Sequence, residues 1–156
     1  MKTSYTAFFL IILFFVLDVV SKMLVVHFLE VGSSISVLSF LNIVHVENSG
    51  IAFGLFGTSS FLFKRILLSS VNIVVFIIVM VMLLRRKVSS SVSFGLSLLG
   101  AGALGNLRER LFSGYVTDFI DLHIGVHHYP AFNIADACIT TGILILIIRR
   151  FLRKSI

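Results

Sequence analysis

The 156-residue sequence has a single cysteine, Cys138, and few charged side chains. One thiol excludes a disulfide-stabilised scaffold and a cysteine-rich metal site. Charged residues amount to 13%, which is about half of the ~25% that is usual in soluble domains. Hydrophobic residues make up 58%, and a soluble fold of this size cannot bury so much apolar surface. The composition therefore excludes a soluble globular protein, and its hydrophobicity excludes a disordered one.

The positions of the basic residues indicate which kind of partner the net charge of +6 attracts. A positive charge fits either nucleic acid or an anionic membrane. Eight basic residues lie in short groups beside apolar runs, namely Lys2, Arg85, Arg86, Lys87, Arg149, Arg150, Arg153 and Lys154. Such groups are typical of the cytoplasmic loops of membrane proteins, whereas nucleic-acid binding needs a basic face on a soluble module. We therefore expect membrane lipids, and no nucleic acid, as partners.

Four apolar stretches predict an all-α membrane protein with four transmembrane helices. They cover residues 7–26, 66–84, 91–107 and 131–148. The first stretch lacks a small-residue cleavage site and is interpreted as a retained helix, not a signal peptide. In the third, Ser97, Ala101 and Gly105 stand four residues apart, which predicts a helix face that packs closely on a neighbour. The whole chain, 1–156, is expected to form one integral membrane domain.

The distribution of basic residues also predicts the orientation in the membrane. Four spans place both termini on one side, where eight basic residues lie, against four on the other side, namely Lys64, Arg65, Arg108 and Arg110. This bias predicts cytoplasmic termini and outer loops at 27–63 and 108–130. The first outer loop alternates β-branched and aromatic runs with glycines, which predicts a small strand-rich layer on the outer membrane surface.

Two of the seven acids are candidates for catalysis. Asp136 is expected about five residues into the fourth span, or ~8 Å below its outer end, and Asp118 lies among apolar residues just before that span. Each acid alone could simply mark the start of a helix, but a carboxylate at hydrocarbon depth is costly and is a functional candidate by default. Paired carboxylates in a partly dry site share a proton, so that the ionised acid can activate water and the protonated acid can polarise a carbonyl. This is the chemistry of aspartic proteases.

The other chemically active side chains have structural interpretations. Asp18 and Lys22 stand four residues apart on one helix face and are interpreted as a bracing ion pair. The alternative, in which Lys22 reaches the outer headgroups or positions a loop, stays open. Cys138 has no base partner nearby in the sequence and is interpreted as a small buried hydrophobe. The five histidines show no metal-ligand spacing, and we expect neither a metal nor a cofactor.

Five motifs, in this order, closely resemble the lipoprotein signal peptidase (signal peptidase II) family of bacterial aspartic peptidases. They lie at residues 18–22 (DVVSK), 48–53 (NSGIAF), 102–110 (GALGNLRER), 116–121 (VTDFID) and 132–136 (FNIAD). The match covers nearly the whole chain.

The resemblance implies specific roles. The catalytic pair falls on Asp118 and Asp136. The contacts to substrate or to the antibiotic globomycin fall on Asn48, Gly50, Asn106, Arg110 and Asn133, with Asp18 and Lys22 as the motif of the first helix. The implied substrate is a prolipoprotein whose lipobox cysteine already carries diacylglycerol, cleaved on the N-terminal side of that cysteine. The implied location is the bacterial cytoplasmic (inner) membrane, with the active site of a monomeric enzyme toward the outer face.

Three residues depart from the family pattern. The family usually has Asp at Glu109 and Ala at Ile51, and Arg108 replaces an apolar residue. Glu109 can keep an ion pair with a longer reach. Positions 108 and 110 point roughly 200° apart around a helix, so we expect Arg110 to face the acids and Arg108 to reach toward headgroups. The alternative function, a small multispanning transporter or channel subunit, requires polar residues along the bundle axis, whereas here they gather at the outer ends.

Overall fold

A computed structural model describes residues 2–50, 60–84 and 88–154. Within these residues the helices are α1 (Lys2–Phe28), α2 (Phe61–Leu84), α3 (Ser90–Phe112) and α4 (Ile134–Lys154). The strands are β1 (Ser34–Leu38), β2 (Leu41–Asn48), β3 (Val116–Ile124) and β4 (His127–His128), and they form an antiparallel sheet in the order β1-β2-β3-β4. Ile51 and the basic residues 85–87 lie outside the described residues, and so do the side chains of residues 2–4 and 153–154.

Helix α3 is the centre of the bundle and packs against α1, α2 and α4. Its small-residue face is buried, with Ser97 and Ala101 at most 1% exposed. Gly102 shows how close the helices come, because a Cβ atom there would lie 2.3 Å from the carbonyl oxygen of Ala135 in α4. The predicted closely packed face is confirmed.

Most of the apolar side chains of α1 and α2 lie on the outer surface of the bundle. The segments Tyr5–Phe28 and Phe61–Leu84 are long and apolar enough to cross a membrane, and only 22% of the most apolar window of each is buried inside the molecule. Apolar surface of this extent needs a lipid environment. Helices α3 and α4 have 23 and 21 residues but are less apolar. The predicted helical bundle is confirmed, and the count of four spans stays a prediction.

The second outer loop differs from its prediction. Residues 108–112 continue α3, and the helix ends before Gly114, whose φ of +85° stops it. The next segment is not a separate polar loop but the strand β3, which pairs with β2 and places Thr117 opposite Glu47. This pairing satisfies backbone groups that would otherwise be unpaired along the edge of β2.

Helix α4 begins at Ile134 rather than at the predicted residue 131. Asn133 caps it, since its Oδ1 accepts a hydrogen bond of 2.9 Å from the backbone N–H of Asp136. Asp136 is therefore the third residue of the helix, and the expectation of a position about five residues into the span was wrong.

Candidate active site

The two candidate acids come from different elements that meet at one end of the bundle. Asp118 is the third residue of β3, and Asp136 is the third residue of α4. The segment before α4 is tied to β3, because Phe132 exchanges backbone hydrogen bonds of 2.8 and 3.1 Å with Ile120. Asp118 is 2% exposed, Asp136 is half-buried, and their charges repel each other. The fold thus brings together the two acids that the sequence singled out.

Three asparagine amides donate hydrogen bonds to these acids. Asn48 donates to Oδ2 of Asp118 over 2.8 Å, and Asn133 donates to Oδ1 of the same acid over 2.7 Å. Asn106 donates to Oδ1 of Asp136 over 2.7 Å. Donated hydrogen bonds favour an ionised carboxylate and offset the cost of its burial.

The surroundings of Asp118 give it a proton affinity suited to catalysis near neutral pH. Burial raises the pKa of Asp118 to about 6; the Asn48 amide opposes this shift, and the charge of Asp136 adds to it. A carboxyl group with such a pKa can both hold and release a proton under physiological conditions. Two acids that differ in burial and in hydrogen bonding are the arrangement that separates an acid role from a base role.

The two arginines at the end of α3 face different parts of the molecule. Arg110 is half-buried and interacts electrostatically with Asp136 and Asp118. Arg108 lines a cavity of about 700 Å³ beside the C-terminal part of α1, together with Met23. Their different surroundings agree with the helical rotation expected from the sequence. The guanidinium of Arg110 is thus placed to meet a ligand at the acids.

Gly50 shapes the turn that orients Asn48. Its φ is +89°, and its backbone N–H donates to Oδ1 of Asn48 over 2.8 Å. A Cβ atom at this position would lie 2.1 Å from Cδ1 of Leu68. The positive φ strains residues other than glycine, and a Cβ atom would also require the end of the Leu68 side chain to move.

Asp18 and Lys22 form a buried ion pair that joins three helices. Lys22 Nζ lies 2.8 Å from Oδ2 of Asp18, and the side chains are 2% and 1% exposed. Oδ1 of Asp18 accepts a hydrogen bond of 2.8 Å from the backbone N–H of Ala135 in α4. Lys22 also donates to Oδ1 of Asn106 in α3 over 3.2 Å. The interpretation as a brace agrees with this geometry, and the alternative in which Lys22 reaches the headgroups is wrong because the side chain is buried.

Glu109 connects the same cluster to the strand that carries Asp118. Its carboxylate lies 3.1 Å from Nζ of Lys22 and accepts hydrogen bonds from the backbone N–H and the hydroxyl of Thr117, over 2.9 and 2.8 Å. The longer side chain keeps an ion pair, as expected. Sequence reasoning missed Thr117. The available signal was its position directly before a candidate acid, which does not identify its partner.

The remaining candidates take no direct part in this cluster. Cys138 is buried in α4 and 6% exposed. Within residues 2–50, 60–84 and 88–154, no group of three or more His, Cys, Asp or Glu side chains could hold a metal ion.

Comparisons with known proteins agree on one family. The family model described as signal peptidase (SPase) II matches residues 10–152. The lipoprotein signal peptidase of Francisella tularensis subsp. novicida is 36% identical over 149 residues, covering 95% of this chain and 92% of that protein. The enzyme of the same name from Coxiella burnetii (strain Dugway 5J108-111) is 39% identical over 155 residues, covering 99% and 94%.

Solved structures show the same likeness. A structure described as a bacterial membrane enzyme is similar to this chain with a TM-score of 0.85 at 31% identity, covering 96% of this chain and 90% of the other. A second structure with the same description has a TM-score of 0.81 at 32% identity, covering 92% and 91%.

Proposed function

The chain belongs to the signal peptidase II family, and we propose that it cleaves signal peptides from prolipoproteins with Asp118 and Asp136 as the catalytic acids. Membership confirms the resemblance found in the motifs, and with it the peptidase function. One observation supports the choice of residues: these two acids meet at one end of the bundle and are held by three asparagine amides.

The reaction needs one ionised and one protonated acid. The ionised acid accepts a proton from water, and the resulting nucleophile attacks the scissile carbonyl carbon. The protonated acid donates to the carbonyl oxygen, and a proton is then transferred to the leaving amine so that the C–N bond can break. The pKa of about 6 at Asp118 supports such sharing of one proton. Arg110 is placed to donate hydrogen bonds to substrate carbonyls from its guanidinium.

The substrate is a prolipoprotein whose lipobox cysteine carries diacylglycerol, cleaved on the N-terminal side of that cysteine. The position of the acids supports this proposal, because they lie where the apolar helices meet the sheet. A substrate held in the membrane by its lipid would present its scissile bond at this level. Asn48, Gly50, Asn106 and Asn133 supply the surrounding contacts, which globomycin would also occupy.

The enzyme spans the membrane four times, with both termini cytoplasmic and the acids toward the outer face. The eight-to-four distribution of basic residues supports this orientation. Among the helices of the described residues, α4 is the shortest with 21 residues, which corresponds to about 32 Å and is long enough to cross the hydrocarbon layer. The enzyme acts as a monomer: a single chain supplies both acids and the three asparagine donors, so the site does not require a second copy.

Signal-peptide release from a purified precursor tests the function. The protein is incubated with a diacylglyceryl prolipoprotein, and the same precursor without the lipid is the control. Asp118→Asn and Asp136→Asn should each abolish release while the protein stays folded. Cys138→Ser should cleave at the wild-type rate, because water and not a thiolate is the nucleophile. A folded variant of either acid with near wild-type turnover would remove the assignment.

Cysteine labelling from outside tests the orientation. On the Cys138→Ser background, the exposed sites Ser34→Cys and Val126→Cys should react with an impermeant reagent in intact cells, whereas Val88→Cys should react only after lysis. The reverse pattern would invert the topology.

A further inference from the structure

Each asparagine amide at the acids has its oxygen fixed by a second donor, and this determines which end of the amide faces the carboxylate. Backbone N–H groups fix two of them. Gly50 donates to Oδ1 of Asn48 over 2.8 Å, and Asp136 donates to Oδ1 of Asn133 over 2.9 Å. Because the amide oxygen is engaged, the NH₂ group of each points at Asp118. These two orientations depend on the backbone alone.

The third amide, that of Asn106, depends on a side chain. Its Oδ1 accepts a hydrogen bond of 3.2 Å from Nζ of Lys22, and Asn133 lies at the weaker distance of 3.5 Å. An ammonium group carries donors and no acceptor, so it binds the amide through oxygen only. The NH₂ group of Asn106 is thereby turned toward Oδ1 of Asp136, 2.7 Å away.

We propose that Lys22 is a positioning residue for peptide hydrolysis: it fixes the amide of Asn106 so that a hydrogen-bond donor, and not an acceptor, faces Asp136. A donor stabilises the ionised acid, whereas an amide oxygen in its place would stabilise the protonated acid. Lys22 therefore influences how the pair of acids shares its proton. This inference rests on the proposed catalytic roles of Asp118 and Asp136.

The charges around Lys22 favour a directed hydrogen bond over a general effect of its charge. Asp18 in α1 and Glu109 in α3 lie 2.8 and 3.1 Å from Nζ and partly compensate its charge. The charged groups that face Asp136 are Asp118 on β3 and Arg110 on α3. The charge of Lys22 also favours the ionised form of Asp118, whereas Asp136 receives a direct hydrogen bond from the amide that Lys22 orients.

The pH dependence of cleavage by Lys22→Met separates this role from a structural one. Methionine has a similar length and no donor, so the Asn106 amide is free to turn its oxygen toward Asp136. We expect the acidic limb of the pH–rate profile to move to higher pH by about one unit, the size of effect that one hydrogen bond has on a carboxyl group. A purely structural role would lower the rate by the same factor at every pH, and that result would overturn the proposal.

A charge-balanced variant covers the case in which Lys22→Met does not fold. Removal of the ammonium leaves two buried carboxylates without a counter-charge, which is strongly destabilising. The triple variant Lys22→Met, Asp18→Asn, Glu109→Gln removes all three charges with little change in volume. The glutamine amide can accept from the backbone N–H of Thr117 and donate to its hydroxyl. The same upward movement of the acidic limb is expected.

A double-mutant cycle identifies the route of the effect. In an Asn106→Ala background, Lys22→Met should cause no further movement of the acidic limb, because the amide that transmits it is absent. An equal movement in both backgrounds would mean that Lys22 acts through its charge, and would overturn the proposal.

Infrared spectra recorded over a range of pH measure the protonation of the two acids without the need for turnover. The carbonyl band of the protonated pair, identified by its loss in the double variant Asp118→Asn, Asp136→Asn, should persist to higher pH in Lys22→Met. Different results would refute the proposed catalytic acids and the proposed role of Lys22. Turnover by folded Asp118→Asn or Asp136→Asn would remove the proposed catalytic acids. Loss of turnover in both, with an unchanged profile and band in Lys22→Met, would remove only the role of Lys22.

Discussion

Asp118 should make the protein less stable as the pH rises, which is the reverse of the usual behaviour of a carboxyl group. Burial raises its pKa from the ordinary 3.8 to about 6. The folded protein therefore holds the proton more tightly than the unfolded chain. The free energy of unfolding falls as the pH rises from about 4 to about 6 and is level above that range. A difference of about two pH units, at ~1.4 kcal/mol each, amounts to roughly 3 kcal/mol.

Asp118→Asn removes this titration. The amide that it introduces meets the donors of Asn48 and Asn133, and this conflict costs free energy that does not depend on pH. Between pH 4 and pH 7, the free energy of unfolding of the variant should therefore rise relative to that of the wild type by roughly 3 kcal/mol. Equilibrium unfolding of both proteins in the same detergent, over this pH range, measures the difference.

Asp121→Asn is the matched control with the opposite sign. Asp121 lies three residues further along β3, and hydrogen bonds with Asn42 and His128 lower its pKa. Its contribution to stability is present above the unfolded pKa and is lost as the pH falls through the folded pKa. The free energy of unfolding of the wild type should therefore increase relative to that of Asp121→Asn as the pH rises. If the difference in free energy of unfolding between Asp118→Asn and the wild type does not change with pH, or changes in the same direction as for Asp121→Asn, the explanation based on burial is refuted.

Three further predictions concern the surroundings of the acids. Glu109→Ala should lower the free energy of unfolding by about 3–5 kcal/mol, because it breaks a buried ion pair; Glu109→Gln should cost clearly less, since it keeps the contacts with Thr117, and equal losses would contradict this reasoning. Arg110→Ala should reduce the initial cleavage rate by about tenfold or more, whereas Arg108→Ala should leave it nearly unchanged; a larger loss at Arg108 would mean that the end of α3 is rotated differently. Thiol-blocking reagents should not inhibit the enzyme, because Cys138 is buried and has no catalytic part; inhibition that Cys138→Ser abolishes would point to a cysteine mechanism.

The helices were predictable from the sequence, but their ends were not. Long apolar runs specify a membrane helix by composition alone. Helix α3 continues through Arg108 and Glu109, and the partners of Glu109 are Lys22 and Thr117 on other elements, which no local pattern reveals. Strand β3 was missed for a related reason. Its acids made it look like a polar loop, and its partner β2 lies about 75 residues earlier in the chain.

The site, too, was only partly predictable from the sequence. The two acids could be selected because so few polar residues occur in the chain, and the motifs supplied the asparagines. Their pairing could not be read from the sequence, since an amide can face a neighbour with either end. The partner that fixes Asn106 is Lys22, which is 84 residues away and on another helix. Contacts of this kind exist only once the helices have packed.

The hydrogen bond between Asp18 and Ala135 couples the site to the completed bundle. It fastens the start of α4, and with it Asp136, to the first helix. On the proposed assignment of the catalytic acids, a chain whose α4 is not packed lacks the second acid beside Asp118 and cannot hydrolyse a peptide bond. On this assignment, activity depends on the packing of α4 against α1 and α3.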